Sequence, residues 1–261
     1  MSRLTTAAIE SAVTGRLGRP CRFFEEIDST NAEALRWAAE GAPEGSLVAA
    51  DYQTAGRGRM GRRWLSGPGD SLLFSVILRP EGSGRHSLLT TALGVACTET
   101  IRVRTEVEAG LKWPNDVMIG GRKVAGILVE GRLSGNGIET AVAGVGINCR
   151  FSTQPPDEIA QTATSIANET GTSPDSLSLL IDFLARFERL YERLNHPAAA
   201  SHVVNRATDL SVVLGRSVSV RFSNGRLVEG LAERLTHDGG LMIRSGIDLV
   251  EARAGEIEQL R

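Results

Sequence analysis

Three apolar runs in the middle of the chain are separated by very short polar stretches: Val117 to Ile119, Val124 to Glu130 and Ile138 to Ile147. Gly120-Gly121 lies between the first two, and Ser134-Gly135-Asn136-Gly137 between the last two. Connections this short cannot carry a parallel crossover, so the three strands must run antiparallel. Any fold open to this chain is built around that meander. Leu47 to Tyr52 and Leu72 to Leu78 read as two further buried strands, the second ended by Arg79-Pro80. Phe23, Phe24 and Ile27 mark a brief strand before them.

Helical spacing appears elsewhere. Leu88, Leu89, Ala92, Val95 and Ala96 predict a helix over Ser87 to Val103, and similar patterns cover Thr164 to Glu169 and Ser176 to Leu194. Leu4, Ala8, Ala12 and Val13 predict a short leading helix. Thr30-Asn31-Ala32-Glu33 has the form of a capping box with Thr30 as the cap, and Gly41 then Pro43 stop the helix that follows. After Asn205 the texture changes. Val218 to Phe222, Leu227 to Ala232 and Leu241 to Ile243 are short strands, with turns at Asn224-Gly225 and Gly239-Gly240. The expectation is a main domain, residues 1–208, and a small all-β unit, residues 209–261, too small to be very stable alone.

Composition narrows the function. Apolar residues make up 41% of the 261, enough for a sizeable core, and a net charge of −2 gives no whole-molecule attraction to nucleic acid or anionic membrane. The apolar runs are too short to span a bilayer, and Met1 to Pro20 lacks the apolar core of a signal peptide, so the chain reads as soluble and cytoplasmic. Cys21, Cys97 and Cys149, with His86, His196, His202 and His237, show no metal-ligand spacing and read as structural or solvated.

Against this mild acidity stands one local cluster. Arg57, Arg59, Arg62 and Arg63 fall within seven residues, interleaved with Gly56, Gly58 and Gly61. Guanidinium groups match phosphate and carboxylate oxygens in bidentate geometry, and the glycines let backbone approach a ligand. Like charges so close repel by about 1 to 4 kcal/mol per pair, which an anionic ligand would relieve. The loop is expected to order when a phosphate-bearing ligand binds. The glycines also fit G-x-G-x-x-G, with Glu81 at the distance of a ribose-binding acid. That fingerprint must open a helix, however, and the turn-forming Trp64-Leu65-Ser66-Gly67-Pro68-Gly69 follows instead. A single-stranded nucleic-acid segment would interleave aromatic residues, which are missing here.

Residues 112 to 116 read Lys-Trp-Pro-Asn-Asp, a strand edge or bend because Pro114 removes a ladder donor. Lys123 opens an otherwise apolar strand in which Gly126 leaves space above the sheet. A lysine at a strand start is usually solvated, and the residues alone do not lift Lys123 above that reading.

Taken in order and spacing, residues 56 to 64, 112 to 116, Lys-Val-Ala-Gly-Ile-Leu (123 to 128) and Gly-Val-Gly-Ile-Asn (144 to 148) resemble the motif set of biotin–protein ligases. The resemblance runs from about residue 23 to the C-terminus, including Gly255-Glu256-Ile257. It implies an α+β fold: a mixed, mainly antiparallel sheet with flanking helices, then a small SH3-like β-barrel. It implies activation of biotin by ATP with Mg2+ to biotinyl-5′-AMP, then transfer to a lysine of a biotin carboxyl carrier protein.

Carried over residue by residue, Ser29, Thr30 and Asn31 look like the segment that meets the biotin ureido ring, while helix capping is the plainer reading of Ser29 and Thr30. Gln53, Gly56, Arg57, Gly58 and Gly126 would line the biotin site. Arg59, Arg62, Trp64, Asn115 and Asn148 would lie by the nucleotide. Lys123 would bridge the biotin carboxylate and the α-phosphate, with Arg59 and Asp116 completing the catalytic set. The metal ligands are not implied. Family members that repress transcription carry an N-terminal winged helix; the residues before Ser29 show no helix-turn-helix pattern, so operator binding is not expected. A monomer and a homodimer both remain open. A lipoate ligase would share the fold and the adenylation logic, and a non-catalytic biotin sensor would share the pocket; Trp64 after the arginine loop favours biotin.

Overall fold

The meander forms as the short turns require, and it lies inside a larger sheet. The computed structural model describes residues 4–80, 87–134, 137–194 and 196–260; Glu81, His86 and the turn residues Gly135 and Asn136 lie outside them. In chain order the elements are α1 (Thr6–Ala12), β1 (Cys21–Ile27), α2 (Thr30–Ala39), β2 (Leu47–Gln53), β3 (Ser71–Leu78), α3 (Ser87–Thr105), β4 (Ala109–Lys112), β5 (Asp116–Ile119), β6 (Arg122–Ser134) and β7 (Gly137–Asn148). There follow α4 (Asp157–Ala160), α5 (Ile166–Thr170), α6 (Ser176–Leu194), α7 (Pro197–Leu210), β8 (Ser217–Arg221), β9 (Leu227–Leu235), β10 (Leu241–Ser245), β11 (Asp248–Ala252) and β12 (Glu256–Leu260).

Seven strands make the main sheet in the order β1-β2-β3-β7-β6-β5-β4. Only β1 and β2 pair in parallel, across the crossover supplied by α2; the remaining neighbours are antiparallel. The interior strand β3 is buried along its whole length, which is why it reads as an unbroken apolar run instead of an alternating one. Leu72, Phe74, Val76 and Leu78 point to the main core. On the other face α2 packs Ala34 against Val48, Ile77 and Val142 and leaves the rest of that face free.

The main core is closed by α3, α6 and α7. In α6 the buried residues Leu179, Leu180, Phe183, Leu184, Phe187, Leu190, Tyr191 and Leu194 recur at three- and four-residue intervals, the apolar stripe of a half-buried helix. Phe183 sits between Phe74 of the sheet, 5.0 Å between ring centroids, and Phe187, 5.9 Å away.

The second unit is a five-stranded antiparallel sheet in the order β11-β10-β9-β8-β12, with its own core of Val218, Val220, Val228, Leu241 and Ile243. Trp113, in the turn between β4 and β5, joins that core, and its indole N–H donates to the Gly239 carbonyl at 3.0 Å. The bend forced at Pro114 thus turns Trp113 into a plug between the two units.

Several features differ from the sequence expectation. The cap of α2 is Ser29, whose hydroxyl accepts from Ala32 N–H, and Thr30 is already helical; the Thr30 hydroxyl bonds Gln53 instead. Helix α7 was not predicted, although Val203, Ala207 and Leu210 are buried at helical spacing behind Pro197, a favoured first-turn residue. Strands β11 and β12 were missed because each buries few apolar side chains.

Phe183→Ala removes the ring that joins α6 to the sheet, so it should destabilise the fold by about 3–5 kcal/mol, measured by denaturant unfolding. A cost below about 1 kcal/mol would show that this aromatic contact does not hold the layers together.

Candidate active site

Where β6 and β7 meet, the free face of the main sheet carries almost no side chains. Gly126 pairs with Gly146, and Leu128 with Gly144. Three neighbouring side chains fill the space. A Cβ at Gly144 would stand 2.0 Å from Asn31 Oδ1, one at Gly146 2.7 Å from the Trp64 ring, and one at Gly126 2.9 Å from Lys123 Nζ. Between these side chains lies a narrow pocket with a cavity volume of about 50 Å³.

Its inner end is polar and buried. The Thr30 backbone N–H and hydroxyl both donate to Gln53 Oε1, at 2.8 and 3.0 Å. The hydroxyl of fully buried Ser75 lies 2.8 Å from Thr30 Oγ1 and 2.6 Å from Asn31 Oδ1. Asn31 Nδ2 donates to Glu130 at 2.7 Å and to the Leu128 carbonyl at 3.3 Å. Sequence reasoning missed Ser75 and Glu130. A serine inside the apolar run Leu72 to Leu78 was the available signal, since a buried hydroxyl needs a partner.

The arginine loop closes one side. Trp64 N–H donates to Gly56 O and Gly58 N–H to Arg62 O, so the loop folds back on itself. It reverses at Met60 (φ 56°) and Gly61 (φ 74°); a glycine suits such a left-handed turn, and Met60 adopts it beside one. The four charges are spread over protein acceptors. Arg57 pairs with Glu130 at 3.1 Å, and Arg63 donates to Thr54 O at 3.2 Å. Arg59 donates to Asn115 Oδ1 at 3.1 Å and to Gly255 O at 3.2 Å, while Arg62 pairs with Glu256. Loop and second unit are therefore tied together. Burial lowers the pKa of Arg59, opposed by Asp116 and assisted by Arg62.

Lys123 marks the outer end. Its backbone is clamped on both sides, its N–H donating to Thr162 O and its carbonyl accepting from Thr164 N–H, each at 2.8 Å. Its ammonium group lies 2.6 Å from Asp116 Oδ1, a close ion pair without hydrogen-bond alignment, and 5.6 Å from the Trp64 ring centroid. The Trp64 indole N–H is buried with no acceptor among the described residues. Asn115 fixes the adjoining bend by exchanging hydrogen bonds with Ile127.

Most of the predicted site residues converge: Ser29, Thr30, Asn31, Gln53, Arg57, Gly58, Arg59, Trp64, Asn115, Lys123 and Gly126 all line the pocket. Gly56, Arg62, Asp116 and Asn148 do not line it. Gly56 lies under the loop, where a Cβ would meet the Trp64 carbonyl at 2.8 Å. Arg62 turns to the second unit, and Asp116 stands behind Lys123. Asn148 is buried, accepting from Ser71 at 3.2 Å and donating to Thr164 O at 3.0 Å, and so braces the segment that clamps Lys123.

The model of the Biotin/lipoate A/B protein ligase family matches residues 23–148. A biotin–[acetyl-CoA-carboxylase] ligase of Mycobacterium tuberculosis is 34% identical over 244 residues, covering 90% of this chain and 87% of the relative. The bifunctional ligase/repressor BirA of Bacillus subtilis is 31% identical, covering 93% and 74%. A solved biotin protein ligase from Aquifex aeolicus, in complex with biotin and ATP, superimposes with a TM-score of 0.80 at 30% identity, covering 92% of this chain and 98% of that one.

Gly144→Ala places a methyl group where Asn31 Oδ1 now stands, so it should cost about 1–3 kcal/mol in stability and weaken binding in the pocket. Thermal unfolding and calorimetric titration measure the two effects. An unchanged melting temperature with unchanged affinity would show that the bare strand face is not needed.

Proposed function

From its membership of the biotin/lipoate A/B protein ligase family, on the biotin–protein ligase side, we propose how this chain works. The enzyme activates biotin with ATP to biotinyl-5′-AMP and transfers the biotin to a lysine of a biotin carboxyl carrier protein. The observation that carries the reading is one pocket with two unlike ends. Buried hydroxyl and amide groups of Ser29, Thr30 and Asn31 lie at one end, and the cations Lys123 and Arg59 at the other.

Biotin presents the same two ends. Its ureido ring offers a carbonyl acceptor and N–H donors, which suit the groups on residues 29 to 31, while the Trp64 ring and the glycine face suit its apolar body. Its carboxylate then reaches Lys123. In the first step a carboxylate oxygen attacks the α-phosphorus of ATP. The new C–O–P bond forms as the bond to the β-phosphate oxygen breaks, and pyrophosphate leaves with that electron pair. Both reactants are anions, so fixed cations that meet the charge growing on the α-phosphate are where the protein gains most. In the second step the acceptor lysine, as neutral amine, attacks the acyl carbon. The C–N bond forms, AMP leaves with the C–O electron pair, and the amine's proton passes to a base. Asp116, beside Lys123, is that base in this reading. An ordered arginine loop keeps water from the anhydride.

The same proposal covers the parts around the site. Residues 1–208 are the catalytic domain, and residues 209–261 form an SH3-like barrel that holds the loop through Gly255 and Glu256. Arg62 and Asn148 serve the nucleotide at a distance from the biotin pocket. Magnesium carried by the triphosphate would supply a counter-charge there; Asp116, the carboxylate of the cluster, is already taken by Lys123 and offers no open ligand set. Among the described residues no helix is long and apolar enough to cross a membrane. The reading takes the enzyme to work in the cytoplasm, as a monomer or homodimer.

Exchange of labelled pyrophosphate into ATP should require biotin and ignore lipoate; exchange with lipoate, or none with biotin, would overturn the reading. In the same assay Lys123→Ala should fall about 10²–10³-fold, the size of a lost transition-state donor. A rate near the parent's would remove Lys123 from the chemistry. Asp116→Asn, given preformed biotinyl-AMP, should transfer biotin more slowly with a shifted pH profile, and unchanged transfer would refute its role as base.

A further inference from the structure

Besides Asp116, the Lys-Trp-Pro-Asn-Asp segment carries one other charged residue, Lys112. Lys112 ends β4 directly opposite Asp116 of β5, and opposite residues of an antiparallel pair point to the same face. Asp116 in turn holds Lys123 at 2.6 Å. Two lysines therefore flank one carboxylate, and a single negative charge cannot neutralise both. Lys112 is only half-buried and does not line the pocket; in the cross-strand row Lys112, Asp116, Gly126, Gly146 it stands on the far side of Asp116 from the glycine floor. Burial lowers its pKa first, and the charges of Lys123 and Arg62 lower it further, against the pull of Asp116. Lys112, Lys123 and Arg62 are thus close enough to act on one another through their charge.

The geometry of phosphoryl transfer says what the second lysine is for. Attacking and leaving oxygens lie roughly in line across the phosphorus. If the biotin carboxylate comes from the pocket and meets the α-phosphate at Lys123, the β- and γ-phosphates must extend away from the pocket. Lys112 and Arg62 stand on that side. We propose that Lys112 is a further catalytic residue of the first step, contacting the β- and γ-phosphates and stabilising pyrophosphate as the bond to the α-phosphorus breaks. This rests on the adenylation reading above. It also sets the limit of the role: once pyrophosphate has left, Lys112 has nothing to hold, and transfer from biotinyl-AMP does not need it.

The test separates the half-reactions in the full-length enzyme. Lys112→Met keeps most of the aliphatic stem and removes the charge; Lys112→Arg keeps the charge. Lys112→Met is expected to slow biotin-dependent pyrophosphate exchange roughly 10- to 100-fold, the worth of one hydrogen bond to a charged group. The pyrophosphate concentration for half-maximal exchange rises with it. Biotin affinity without ATP and transfer from supplied biotinyl-AMP stay at the parent's values, and Lys112→Arg restores most of the exchange. Equal slowing of both half-reactions by Lys112→Met, or exchange at the parent's rate, overturns the assignment. Loss of biotin-dependent exchange in the parent itself would instead bring down the adenylation reading, and this proposal with it.

Discussion

The site depends on the absence of side chains from one patch of sheet. Gly126, Gly144 and Gly146 sit on two adjacent strands, and each would collide with a different functional group if it carried a Cβ. Without the patch, Asn31 could not reach Glu130, Trp64 could not lie against the strands, and Lys123 could not extend toward Asp116. Glycine weakens a strand because it adds backbone entropy and packs nothing. Here the loss is offset on the opposite face, where Phe74 and the α6 aromatics hold the sheet. A rigid layer with one face filled and the other bare gives a pocket whose floor is backbone, and backbone does not rearrange when a ligand enters.

Charge is the second constraint. The arginine loop gathers like charges, and the protein supplies an acceptor for each: Glu130 for Arg57, Asn115 and Gly255 for Arg59, Glu256 for Arg62, Thr54 for Arg63. In the proposed cycle these oxygens stand in for those of phosphate and carboxylate, so the loop can exchange partners without leaving a cation bare. Two of the acceptors, Gly255 and Glu256, come from the second unit, which ties that unit to the loop.

Much of this was legible in the chain. The meander followed from its turns, and the arginine loop and Gly126 stood out by residue type and position, whereas Lys123 was marked only by the family resemblance. Other features were hidden because they depend on contacts far apart in sequence. Ser75 reads as part of a buried strand until Thr30 and Asn31 are seen beside it, 45 and 44 residues away. The cap of α2 fell one residue early because Gln53, from another strand, takes the Thr30 hydroxyl. Trp113 as a plug for the second unit could not be read before that unit was in place. Local pattern gives elements; which face a polar residue serves is decided by what the fold brings opposite it.

In the proposed cycle the arginine loop exchanges protein oxygens for those of the reactants. Amide hydrogen exchange over residues 56–64 tests it most directly, with the enzyme empty, with biotin alone, and with biotin and ATP together. The account predicts a stepwise gain in protection, largest when both reactants are present. Equal protection in all three states would contradict it.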